Sequence, residues 1–139
     1  MIHEPLMDLL AVKMPDMTWT VNNLRDTDDT GTVYADNLSL QYQEGAVFTA
    51  SYQVLLRSTD WGKAETYAHN TLSILDRRQN ETLHPILYKK GAPYKRLTVD
   101  LLGLRNYGGV LFLGIGEDNT HEYSINFDAR MHLIKEEEI

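Results

Sequence analysis

The sequence contains no cysteine, few basic residues and no long apolar run. The absence of cysteine excludes disulfides, thiolate metal sites and a cysteine nucleophile. No segment approaches the roughly 20 consecutive apolar residues that a membrane helix needs, so we expect no membrane partner. The first residues, "MIHEPLMDLL", have no basic region and no small-residue cleavage site, and we therefore predict no signal peptide.

Basic residues are outnumbered in this chain. Lys and Arg number 13 against 20 Asp and Glu, for a net charge of −7. Tight, sequence-independent binding to nucleic acid needs a basic surface that displaces counterions from phosphates, so this balance disfavours it. The charge balance does not exclude a protein surface along which DNA passes without being bound. The 139 residues suit one domain over 1–139, and no change in composition divides them.

The first residues predict a short helix. Pro5 suits the first helical position, and Pro15 ends the pattern, which places the helix at about residues 5–13. One face of this helix would carry the apolar residues Leu6, Leu9 and Leu10.

Two strand-like segments surround an acidic stretch. Trp19 and Val21 alternate with polar residues, and Val33 and Tyr34 follow the segment "DTDDTG". The pattern predicts a hairpin with a loose acidic turn, or alternatively a mobile loop.

The clearest elements are a strand and the helix that follows it. Residues 46–56 form the longest strand candidate in the middle of the chain, after a shorter alternating segment with Leu38, Leu40 and Tyr42. Asp60 is a good N-cap, and the helix after it should end near Asn80. Its inward face is predicted from apolar and small residues at three- and four-residue intervals, namely Trp61, Ala64, Ala68, Thr71, Leu72 and Leu75.

The remaining residues predict strands joined by short turns. Two strands flank a turn at Gly91–Pro93, the second of them running through Leu102, and "GGVLFLGIG" forms another. The last strand alternates regularly from Tyr123 to Leu133, and the tail "KEEEI" is predicted to be frayed or docked on a partner. The predicted fold class is therefore α+β, a mostly antiparallel sheet packed by one central helix and a short N-terminal helix.

The joint between the central strand and helix, in "YQVLLRSTDWGKA", has the residue types of a phosphate site. Ser58, Thr59 and backbone N–H groups at a helix start can hold a phosphate. However, the cap position is the anion Asp60, which would repel phosphate. We therefore favour a strand-to-helix corner that has only a structural role.

The segment "GIGEDN" suggests a nucleotide site, but it lacks the third glycine and the following helix of a dinucleotide fingerprint. Glu117 and Asp118 stand where phosphate charge would lie. A hairpin turn between two strands is the favoured interpretation.

The histidines show no metal-binding spacing. None pairs with another at i, i+4, and no Ser/His/Asp set or pair of carboxylates stands out. The five histidines are His3, His69, His84, His121 and His132. We therefore predict no catalytic residue, no metal and no cofactor.

A cluster of basic residues lies in "YKKGAPYKR". Four cations surround one predicted turn in an otherwise acidic chain, and a tyrosine flanks each side. The segment is either a solvated hairpin tip or a contact with another subunit or partner, since tyrosine is enriched at interfaces. The residues of the predicted contact are Tyr88, Lys89, Lys90, Tyr94, Lys95 and Arg96.

The order of elements resembles that of the tail terminator, or tail completion, proteins and related minor capsid proteins of long-tailed bacteriophages. The resemblance is carried by "FTASYQVLLRSTDWGKAETYAHNTLSILDR", in which a strand runs directly into a helix with inward alanines. A short helix opens the chain and hairpin strands close it, so the resemblance covers residues 3–133.

The resemblance implies a structural protein of the virion without catalysis or cofactor. Its members form rings, commonly hexameric, that stop growth of the tail tube and present its head-facing end to the connector. It implies as partners further copies of the chain, the tail tube protein and the head–tail connector (stopper) protein. The alternatives are another neck, connector or tube-like protein of the same virion, or a small-molecule-binding module or enzyme.

DNA leaving the head would pass through such a ring. A lumen rich in Lys and Arg would bind phosphates and slow that passage, so we expect a neutral or acidic channel. The acidic segments placed near the channel are the "KEEE" tail and the turn with Asp26, Asp28 and Asp29.

Overall fold

The chain forms one sheet and two helices in the part that the structure describes. The computed structural model describes residues 1–22, 28–36, 43–116 and 118–139. More of these residues lie in strands than in helices, and the sheet is mostly antiparallel, so the predicted mixture of helices with such a sheet is confirmed. The elements are α1 (His3–Lys13), β1 (Thr18–Val21), β2 (Thr30–Asp36), β3 (Val47–Ser58), α2 (Trp61–Leu75), β4 (Glu81–Leu83), β5 (Ile86–Lys89), β6 (Ala92–Ile115) and β7 (His121–Glu138).

The sheet is built around three long strands. Its order is β1, β2, β3, β7, β6, β4, and β5 pairs with another part of β6. β3 and β7 are antiparallel and place Tyr52 opposite Phe127, which are the largest of the fully buried side chains. The Tyr52 hydroxyl also accepts a hydrogen bond from the Ile2 N–H at 3.1 Å, which ties the start of the chain to the core.

The last strand follows the predicted alternation. From Ile125 onward its buried residues are Ile125, Phe127, Ala129, Met131 and Leu133, whereas Asp128 and Arg130 between them are exposed. At the start of the strand Ser124 is also buried, and Tyr123 is only half-buried. The prediction for the "KEEEI" tail was wrong, because β7 continues to Glu138 and pairs with β6 of the same chain, with Glu138 opposite Lys95. The tail is thus part of the sheet.

β6 is one strand of 24 residues, where the sequence predicted two. The predicted gap after Leu102 does not exist, and Gly108 and Gly109, the predicted start of the next strand, adopt positive φ (81° and 70°) inside a bulge. Asn106 stabilises this bulge by accepting the Gly109 N–H at 3.1 Å and donating to the Asn126 carbonyl at 2.9 Å. Glycine therefore lets the strand bend and continue.

The predicted hairpin around the acidic segment was wrong. β1 and β2 are parallel neighbours, with Trp19 opposite Gly31. A hairpin turn joins antiparallel strands, whereas parallel strands need a crossover connection. A Cβ on Gly31 would come within 2.4 Å of the Trp19 indole, so this position requires glycine. The alternative of a mobile loop, and the strand predicted at residues 38–42, fall largely outside the described residues.

α1 begins at His3, two residues before the predicted start, so Pro5 lies within its first turn. Leu6 and Leu10 are buried, while Leu9 is only half-buried. Neither helix of the described ranges combines the length and apolar character needed to cross a bilayer.

α2 confirms the predicted start but not the predicted end. The Asp60 carboxylate accepts the Lys63 N–H at 3.1 Å, as an N-cap does. The helix stops at Leu75 instead of near Asn80, because the next residues pair with β6: the Arg77 N–H donates to the Leu104 carbonyl at 2.8 Å. Of the predicted inward residues, Trp61 is 61% exposed and Leu72 half-buried, whereas the remaining four are buried.

Candidate functional site

The strand–helix corner has no free hydroxyl group for a phosphate. The Ser58 hydroxyl donates to Asp29 at 2.6 Å. The Thr59 hydroxyl and N–H both donate to Asp28, at 2.6 and 2.8 Å. Two carboxylates from the segment before β2 therefore hold the polar groups that a phosphate would need. This geometry agrees with the structural interpretation of the corner.

The electrostatics of this corner also oppose an anion. The hydrogen bond from the Thr59 hydroxyl holds the pKa of the Asp28 carboxyl below its usual value. Lys63 lies 2.8 Å from Asp29, and this hydrogen bond raises the pKa of the Lys63 ammonium group. The lowered pKa favours the ionised form of Asp28, and the nearby cation Lys63 is already paired with Asp29.

Arg57 brings the turn between β6 and β7 to the same corner. Its guanidinium is buried and donates to Glu122 at 3.0 Å and to Asp118 at 3.2 Å. The Gly116 N–H donates to the Thr120 carbonyl at 2.8 Å, which closes the hairpin that the sequence predicted. Glu117 lies outside the described residues. We call Asp28, Asp29, Asp60 and Asp118 together the acidic corner.

The acidic corner accounts for two of the three aspartates that were placed near a channel. Asp29 and Asp28 accept hydrogen bonds from Ser58 and Thr59 of their own chain. Asp26 lies outside the described residues. Whether this surface faces a channel stays a prediction.

The basic hairpin, residues 88–96, is formed by β5 and the start of β6. Lys90 and Gly91 make its turn with positive φ of 52° and 79°. The side chains of Tyr88, Lys89, Lys90, Tyr94 and Arg96 are exposed. Within the described part of the chain, Lys89, Lys90 and Arg96 form no ion pair.

Lys95 differs from the other three cations of the basic hairpin. It is half-buried and lies 3.5 Å from Glu136, whose strand also places Glu137 opposite Arg96. Sequence reasoning missed this pairing, because the two segments are about 40 residues apart and only strand register brings them together. The unpaired positive charge is therefore concentrated at the tip.

A third surface, the open edge, was not identified from the sequence. It comprises residues 107–115, the last part of β6. β5 and β4 pair with β6 only up to Leu101, and the Asn106 N–H donates to Asp76 at 2.8 Å. Beyond Asn106, no strand of the described ranges pairs with the outer side of β6.

The open edge carries a continuous set of exposed apolar side chains. They are 40–58% exposed: Tyr107, Leu111, Phe112, Leu113 and Ile115. The sequence signal was the long uncharged run itself, which predicted a strand but not that this strand would lack a neighbour.

A cavity of about 300 Å³ opens on the polar face of the sheet between β3, β6 and β7. Its lining includes Arg105, Arg130 and Asp128, and the Asp128 carboxylate accepts a hydrogen bond from Ser51 at 2.8 Å. Its volume is at the lower limit of ordinary ligand pockets. Across the described residues, no three His, Asp or Glu side chains are grouped to hold a metal ion.

Comparisons with known proteins do not assign the chain. No family model matches it, and no curated protein is significantly similar to it.

Proposed function

We propose that the protein is a tail terminator subunit of a long-tailed bacteriophage. In this proposal, copies of the chain form a closed ring that caps the head-proximal end of the tail tube and joins it to the head–tail connector. The order of elements in the sequence supports the proposal. The protein would be a structural part of the virion, with no cofactor and no catalytic step.

The proposed protomer is a sheet whose apolar face is covered by both helices. Ala64 and Ala68 of α2 are fully buried, and small side chains at such positions allow a helix to approach a sheet closely. Leu6 and Leu10 of α1 and Leu75 of α2 belong to the same core cluster as the long strands. Such a protomer leaves the strand edges and turns available for contacts.

One observation carries the ring proposal, namely that the unpaired cations at the tip of the basic hairpin and the acidic corner lie at opposite ends of the sheet. β7 begins beside the acidic corner, with His121 opposite Ser58, and ends beside the basic hairpin, with Glu138 opposite Lys95. A contact between the basic hairpin of one copy and the acidic corner of the next would be heterologous. Heterologous contacts generate rings when their rotation closes.

Electrostatic complementarity would also set the direction of this contact. Like ends repel, whereas a basic tip that meets an acidic corner is favourable and selects one orientation. The contact would place unpaired Lys89 and Lys90 near carboxylates of the neighbour. Lys89 and Lys90 would then contact carboxylates of the neighbouring subunit and not DNA phosphates. DNA could therefore pass through the ring without specific binding.

The proposal is tested by the mass of the assembled protein. We expect light scattering or native mass spectrometry, on the protein alone or with its tube partner, to give a closed ring. For the commonly hexameric ring, the mass would be about six times the chain mass of 15.9 kDa. A protein that stays monomeric even in the assembled virion would exclude the proposal.

A further inference from the structure

The open edge of β6 has no partner strand on its outer side among the described residues, and it carries exposed apolar side chains. Gly109 is the exception in its backbone, because its N–H and carbonyl bond to the Asn106 side chain. The nine residues of the open edge run from the Asn106–Asp76 hydrogen bond to the β6–β7 turn, and β7 pairs with the inner side only. A long, apolar strand edge of this kind is a template for another strand. Natural proteins usually protect such an edge with a lysine, a proline, a bulge or a covering loop. This segment has two bulges but contains neither lysine nor proline.

Both faces of the open edge are apolar. Phe112 lies opposite Tyr123, and their ring centroids are 5.2 Å apart. The preceding residue, Leu111, lies opposite Ser124 in the same register, so its side chain points to the other face of the sheet. A covering element must therefore contact two faces and the backbone at once. An added strand does this, while a helix laid on one face would leave the other exposed.

The lack of charge on the open edge indicates which strand would be added to it. Residues 106–116 contain no ionisable acidic or basic side chain in a chain of net charge −7. Two copies of an acidic protein repel one another over most of their surface, but not here. An occupant needs an extended, uncharged segment with apolar side chains on both faces, and a second open edge has these properties.

We propose that two copies of the chain pair through their open edges, antiparallel and about a two-fold axis, to form one sheet across both protomers. Full overlap of residues 107–115 places the axis at Leu111, so that Leu111 faces Leu111 and Tyr107 faces Ile115. Bulges flank Leu111 on both sides, between Tyr107 and Val110 and between Phe112 and Gly114. The symmetric register therefore sets a bulged segment opposite a bulged segment.

This contact goes beyond the proposed ring and is independent of it. The basic hairpin and the open edge lie at opposite ends of β6. The hairpin contact is heterologous, whereas the edge contact is isologous and joins copies only in pairs. The edge pair is expected in the free, purified protein, whether or not that protein also forms rings.

The chain lacks cysteine, so one introduced thiol reports the contact directly. Directly opposite residues of antiparallel strands have Cα atoms about 4.5–5.5 Å apart, within the range that a disulfide spans. We expect Leu111→Cys to form a disulfide-linked dimer under mild oxidation. The matched control is Val12→Cys, which is 78% exposed and lies on the helix α1 and not on the open edge.

The expected result is that Leu111→Cys cross-links at least roughly tenfold faster than Val12→Cys at equal concentration. Leu113→Cys should be slow as well, because Gly109 stands opposite it in this register. Cross-linking of Leu111→Cys at the control rate would overturn the proposal. That result would mean that the edge binds a different protein or stays uncovered.

A second variant tests the contact without a thiol. Leu111→Lys puts two like charges opposite one another at the axis, which disfavours strand pairing. We expect sedimentation to show that the pair dissociates at least tenfold more readily, while the melting temperature of the fold changes little because Leu111 is already 40% exposed. An unchanged pair would contradict the inference. A ring that forms without edge pairing would overturn only this inference, and an edge pair without a ring would exclude only the proposed function.

Discussion

Ala68→Asp is expected to prevent soluble folding. The Ala68 side chain is fully buried and belongs to the core cluster that α2 shares with the long strands. An aspartate there would either bury an unpaired carboxylate or force α2 away from the sheet, and an isolated buried charge costs several kcal/mol. Such a cost is comparable with the whole stability of a domain of this size.

The matched control is Asn70→Asp, two residues further along the same helix. Asn70 is exposed, so the same acidic side chain should leave expression and melting temperature nearly unchanged. The measurement is the soluble yield, followed by thermal unfolding of any soluble protein. Soluble Ala68→Asp with the melting temperature of the parent would show that this face of α2 does not pack on the sheet.

The second large effect is expected from reversing charge in the basic hairpin. Lys89→Glu combined with Lys90→Glu should disrupt the ring while the protomer stays folded, because both side chains are exposed and unpaired within the described part of the chain. The change replaces attraction to the acidic corner of the neighbour by repulsion. Sedimentation at several salt concentrations measures the loss, which should be greatest at low salt.

A control for net charge is Lys13→Glu combined with Arg77→Glu. It changes the charge of the chain by the same amount, at exposed positions outside the basic hairpin. We expect it to keep the ring. If the two double variants behave alike, or if neither affects assembly at any salt concentration, the basic hairpin is a solvated tip.

Local patterns predicted the elements that depend on neighbouring residues. The alternation in β7 and the cap at Asp60 were confirmed, because strand period and N-capping involve residues within a few positions of one another. The end of α2 was wrong, because a non-local bond from the Arg77 N–H to the Leu104 carbonyl ends the helix early.

Strand pairing could not be predicted in the same way. The direction of β1 against β2, the continuity of β6 through Gly108 and Gly109, and the pairing of the acidic tail all depend on which strands become neighbours. For the same reason the acidic corner and the open edge were missed. The basic hairpin was found because its charges are contiguous in the sequence.

The two proposed contacts between copies differ in chemistry, one being charged and the other apolar. The contact between the basic hairpin and the acidic corner is charged and should weaken with salt, whereas the apolar open edge should not. Salt dependence therefore separates the two contacts in one series of sedimentation measurements.

The proposed function is tested most directly by locating the protein in intact virions. Gold-labelled antibody against the chain should mark one site per particle, at the junction of head and tail. Its label should stay at the head-proximal end of tails that have not yet joined a head. Label along the tube, at the distal tip or on the capsid shell, or virions without label, would contradict the proposal that this chain terminates the tail.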